Sequence, residues 1–184
     1  MQRSTVVNFI LFQLAWLIAV WAAARGHGWL GPVTVGLWVM AFMAWYRPAR
    51  KDTTLLIVTG LIGFFMDSIL VWSGSIQFPE WAGPAFPTTV WMVALWVNLA
   101  ASLRHSLKWL TGRYGLGIVF GAVGGPLAYL AGEKLNAIVV IELPVVVAAW
   151  AIAMPLILWA ERITSGDAVV DASSVEPRER ARES

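Results

Sequence analysis

The sequence predicts an all-α fold, a polytopic membrane protein built as a bundle of six transmembrane helices. Two observations carry this. Six long apolar runs, residues 6–24, 29–46, 55–72, 88–103, 116–131 and 143–159, fill most of the chain, and nearly every Lys and Arg falls on alternate connections between them. Most of the runs approach the ~20 residues that a helix needs to cross a hydrocarbon core. Lipid offers no partner for backbone N–H and C=O groups, so runs of this kind must be helical. Composition agrees: of 184 residues, 59% are hydrophobic and 13% charged, about half the charge of a soluble domain. Six crossings use the chain to residue 163 as one membrane domain. Residues 164–184 are polar and mixed in charge, the composition of a disordered tail.

The first run follows Arg3 and carries Asn8 and Gln13. Its basic start and Ala22–Ala24 also fit a secretory signal, but its ~19 residues exceed the ~7–15 of a signal core. The run is therefore read as a retained helix, closed by the turn Arg25-Gly26-His27-Gly28. The second run stops at Tyr46-Arg47-Pro48, where proline cannot continue the helix. Asp52-Thr53-Thr54 offers an N-cap to the third. The connection 73–87 contains Phe78, Trp81 and Phe86 among prolines and no Lys or Arg, as expected of a loop folded at the membrane interface. The fourth helix is expected to continue to Leu110, the fifth to end near Gly132, and the sixth to kink at Pro155.

Charge sets the orientation. With the N-terminus in the cytoplasm, Arg3, Arg47, Arg50, Lys51, Arg104, Lys108, Arg113 and Arg162 lie inside near helix ends, and Arg25 and Lys134 lie outside. That bias places both termini in the cytoplasm.

Asp67 is the sharpest candidate for chemistry. A carboxyl group within a membrane helix costs about 2.5–3.5 kcal/mol to insert and normally faces protein or water. Gly60, Gly63, Asp67 and Gly74 share one helical stripe, and small residues mark close helix approach. Asp67 is thus expected to point into the bundle, either as a proton or substrate site or as a packing hydrogen bond. Asn98, Ser102 and His105 form a second stripe, with Trp91 and Ala94, that could line a polar path or hold helices together. Gln13 lies near mid-membrane. Glu133 and Glu142 are expected at the outer rim, Glu142 at a helix start where a carboxylate is favoured. Gly117, Gly121 and Gly125 have the spacing of a close-packed helix face. Gly124-Gly125-Pro126 could alternatively break the helix around an ion.

Several classes of function are set aside. The chain has no cysteine, so thiol catalysis and thiolate metal sites are excluded. His27 and His105 fall on opposite sides of the predicted bilayer, and no phosphate loop occurs, so neither a metal nor a cofactor is expected. No basic surface interleaved with aromatics points to nucleic acid.

Asn8-Phe9, Phe12-Gln13, Trp16, Gly63-Phe64, Asp67, Trp96, Leu103, Ser106-Leu107, Trp109-Leu110, Gly121-Ala122, Gly125-Pro126, Tyr129 and Gly132 occur in an order that resembles a small bacterial membrane-protein family, domain of unknown function family 2878. The resemblance covers about residues 5–160. It implies a multi-pass protein of the bacterial inner membrane and supplies no catalytic residues. Genes of the family often lie near cyclopropane-fatty-acid-synthase-like methyltransferases, which implies membrane lipid and a lipid-modifying enzyme as partners. The expected function is accordingly a non-enzymatic component that binds or presents lipid for fatty-acyl modification. The alternatives are a small proton-coupled carrier using Asp67 and a membrane scaffold without turnover.

Overall fold

The computed structural model describes residues 3–46, 50–82 and 87–166. Each apolar run folds into a helix: α1 (Arg3–Ala23), α2 (Leu30–Tyr46), α3 (Arg50–Trp72), α4 (Val90–Leu103), α5 (Tyr114–Lys134) and α6 (Leu143–Ser165). Four of them, α1, α3, α5 and α6, are long and apolar enough to cross a membrane, whereas α2 and α4 are shorter apolar helices. Only about a third of each long span is buried within the protein. The rest presents large apolar side chains outward, such as Ile10, Leu14 and Leu17 of α1 and Val119, Val123 and Leu127 of α5. An apolar outward surface is stable against lipid and not against water.

Connections alternate between the two ends of the bundle. At one end Asn8 reaches Ser106, and Arg104 reaches Asp52 and Glu161. At the other, Gly28 lies against the backbone of Ala82, and two short strands, β1 (Ile76–Gln77) and β2 (Val139–Val140), pair antiparallel. Ser75 extends this clasp by accepting bonds from the N–H groups of Ile141 and Glu142. The expected interfacial loop is therefore tied to the α5–α6 connection, and residues 83–86 of it lie outside the described residues.

α4 sits at the centre, against α1, α2 and α3, while α6 packs on α3 and carries α5 along its other side. α4 is shorter than expected. It stops at Leu103, and a 3₁₀ turn at Lys108–Leu110 replaces its last part. At that end the Arg104 guanidinium reaches across to Asp52, the Glu161 carboxylate at 3.2 Å and Thr164 Oγ1 at 2.8 Å. α6 runs on to Ser165, past the boundary expected at residue 163, and ends at Gly166 with φ of +84°. α5 runs unbroken through Gly124-Gly125-Pro126. Gly74 lies beyond α3 in a turn with φ of +73°, so the small-residue stripe of that helix is Gly60, Gly63 and Asp67. The tail expected from residue 164 falls, from 167 onward, outside the described residues.

Candidate functional site

The glycines of α3 and α5 fix where aromatic rings can lie. A Cβ on Gly63 would stand 1.9 Å from Cγ of Trp96, and one on Gly125 would stand 2.0 Å from the Trp150 ring. Both indoles therefore lie flat against glycine backbone. They stack on each other, with centroids 4.4 Å apart and an interplanar angle of 15°. Tyr129 meets Trp150 edge-on at 6.1 Å. Gly60 faces Val97, Gly117 faces Leu158, and Gly121 faces the Trp150 carbonyl and Met154.

Asp67 lies behind this aromatic layer and is fully buried. Trp96 Nε1 donates to Oδ2 at 2.7 Å, and the Tyr129 hydroxyl donates to Oδ1. One carboxyl group thus joins α3, α4 and α5. Both donors would otherwise be buried without partners, so the carboxyl group fixes both rings.

In front of the layer opens a cleft of about 470 Å³. Its walls are α1, with Phe12, Gln13 and Trp16, and α5, with Gly124 and Tyr129; its floor is Trp96 and Trp150. It extends from Leu107 at the charged end to Ile138 at the clasp. Phe9 and Leu127, both well exposed, line it as well. Its mouth is consequently on the flank of the bundle, where lipid would lie. Apart from aromatic N–H and O–H groups, Gln13 supplies the polar side chain of the lining.

The other polar sequence candidates do not line the cleft. Asn98 accepts from Trp38 Nε1 at 3.0 Å and donates to the Phe12 carbonyl at 3.0 Å. Ser102 donates back to the Asn98 carbonyl at 3.3 Å. His105 packs edge-on to Phe42 at 4.7 Å, in a smaller charged recess of about 270 Å³ with Asp52 and Arg104. Burial pushes its pKa below the ordinary value; Asp52 pulls it back up, and Arg104 and Lys108 push it down. Glu133 accepts from the Val140 N–H at 2.9 Å and so braces the clasp. Glu142 precedes α6 without capping it through its side chain. Asp67, Asn98 and His105 therefore hold separate contacts, and Gln13 faces the cleft. Among the described residues, no group of three or more metal-ligating side chains comes together.

Two residues of consequence were not among the sequence candidates. Asn8 is fully buried; its amide donates to the Ala101 carbonyl at 3.1 Å and its oxygen accepts from Ser106 Oγ at 2.7 Å. Tyr129 completes the Asp67 cage. A polar residue in an apolar run was the available signal for each.

A family model for proteins of unknown function, DUF2878, matches residues 5–156. The chain belongs to the DUF2878 family. Comparison with curated proteins and with solved structures finds no match. The DUF2878 match spans Asn8, Asp67, Trp96 and Tyr129, and so takes in the Asn8 tie and the whole Asp67 cage.

Proposed function

We propose that this DUF2878 protein crosses the bacterial inner membrane six times, with both termini in the cytoplasm, and holds a lipid hydrocarbon chain in the α1–α5 cleft. It serves there as a non-enzymatic accessory to fatty-acyl modification. One observation carries the reading: an apolar, aromatic-floored cleft opens sideways between two helices whose outer faces are themselves apolar. A cleft of this kind in a bilayer is bathed by acyl chains, and burying one in it is favoured by dispersion contacts with the rings. α2 and α4, at ~25 and ~21 Å long, are shorter than the ~30 Å core. α4 is shielded by α1, α2 and α3, so it need not span the lipid by itself.

The test is photolabelling of the purified protein in nanodiscs with a diazirine-bearing acyl lipid. Adducts are expected on peptides containing Phe12, Trp16 and Tyr129. Gly124→Phe should reduce them severalfold, because a side chain there meets only the rim of Phe120 and projects into space. Labelling that spares those peptides, or ignores the substitution, would refute the reading. For the pathway, deletion should alter the fatty-acyl profile; an unchanged profile under growth and stress would count against it. A reporter active only outside the cytoplasm, fused after residue 184, should stay silent.

The carrier alternative has less support. Both Asp67 oxygens are engaged, and the polar residues form disconnected contacts.

A further inference from the structure

We infer that the molecule held in the cleft carries a hydrogen-bonding oxygen at mid-membrane depth, where it meets the side-chain amide of Gln13. The inference rests on the lipid-binding reading and narrows the chemistry of its ligand. Gln13 stands at the middle of α1, ~15 Å from either end by helical rise. Its neighbours along the wall are Phe12 and Trp16, and across the cleft lie Trp96, Leu99 and Tyr129. Among the described residues its amide has no hydrogen-bond partner, in contrast to Asn8 and Asn98, whose amides are tied to backbone and side chains of other segments.

An unpartnered amide is strongly disfavoured in hydrocarbon. Gln13 cannot reach the headgroup region from the middle of the helix, because its side chain spans only a few ångströms. The ester carbonyls of an ordinary phospholipid also lie near the interface, half the ~30 Å core away. A plain saturated chain fills the cleft but leaves the amide unsatisfied. A chain or ring bearing a hydroxyl or carbonyl at that depth satisfies it, while its apolar remainder packs on the indoles. Two kinds of lipid offer this chemistry: an acyl chain with an in-chain oxygen, and an isoprenoid quinone whose ring is immersed.

Competition against the same photolabel distinguishes the outcomes. Stearoyl-, 12-hydroxystearoyl-phosphatidylcholine and a short-chain ubiquinone are titrated into nanodiscs holding the full chain. At least one oxygen-bearing competitor is expected to displace the label from cleft peptides at roughly fivefold lower mole fraction than the stearoyl lipid, the effect of one hydrogen bond. Preference for the hydroxystearoyl lipid assigns the oxygen to a chain; preference for the quinone assigns it to a ring. Gln13→Leu should bring the preferred competitor and the stearoyl lipid within twofold of each other. Equal displacement of wild type by all three overturns the inference and leaves acyl binding standing. Absence of cleft adducts in any sample refutes the lipid-binding reading itself. Conversion of a dimer to a monomer by Gln13→Leu, with competition unchanged, would assign the amide to a second copy and also overturn the inference.

Discussion

Replacing Gly63 with alanine puts one methyl group where the Trp96 ring already lies. The new Cβ would stand 1.9 Å from Cγ of that ring, whereas carbon atoms rest at about 3.5–4.0 Å. The ring must move by roughly 1.5 Å, yet its face is stacked on Trp150 and its Nε1 is bound to Asp67 at 2.7 Å. Overpacking of this kind costs about 1–3 kcal/mol. Loss of the bond to Asp67 adds about 0.6–1.7 kcal/mol, the range for polar contacts between membrane helices. The better helix propensity of alanine returns about 0.5–1 kcal/mol. The net is a destabilisation of about 0.6–4.2 kcal/mol. Gly36 on α2 is the matched control, since nothing lies within 4 Å of a Cβ built there. Gly36→Ala retains only the propensity gain and should stabilise by about 0.5–1 kcal/mol. Titration of the purified protein from mild detergent into sodium dodecyl sulfate, followed by tryptophan fluorescence, measures both. Equal midpoints for Gly63→Ala and wild type, or an equal loss for the two alanine variants, would refute the packing argument.

Arg104→Ala removes the cation from the buried Glu161, and should cost about 3 kcal/mol in the same titration. Asn8→Ala strands the Ser106 N–H and hydroxyl; about 1–3 kcal/mol should be lost, and hydrogen exchange at the Ser106 amide should quicken while that of α6 changes less. His105 is held below its ordinary pKa of about 6.5 by burial. The unfolded chain therefore takes up the proton first. Stability should be flat above about pH 6.5 and fall as the pH drops from there toward the folded pKa, and His105→Gln should flatten that slope.

Much of the fold was legible because the bilayer imposes a single rule on apolar runs. The run at 55–72 becomes α3, and the run at 143–159 becomes α6, which continues to Ser165. Gly63 and Gly125 could be read as places of close approach, but not as seats for Trp96 and Trp150, because spacing along one helix does not name its neighbour. The inward aim of Asp67 followed from its stripe. Its partners did not, since Tyr129 is 62 residues away in sequence. The strands β1 and β2 have two residues each, too few to leave a periodic trace. The partners of Arg104 at the end of α4, Asp52, Glu161, Thr164 and Ser165, lie on α3 and α6, more than fifty residues away in sequence. The cleft was illegible for a similar reason: its lining comes from α1, α4, α5 and α6, and one helix's sequence does not say which others face it.

The cage around Asp67 also bears on how the chain is made. Residues leave the ribosome in order, so α3 enters the translocon well before Tyr129 has been synthesised. During that interval the carboxyl group has at most the Trp96 indole to bond, and its Oδ1 is unserved until α5 arrives. The Arg104 cluster is likewise incomplete until Glu161 and Thr164 emerge. An α3 released into lipid ahead of α5 therefore carries a carboxyl group that lacks one of its two donors, and arrival of Tyr129 completes its shielding.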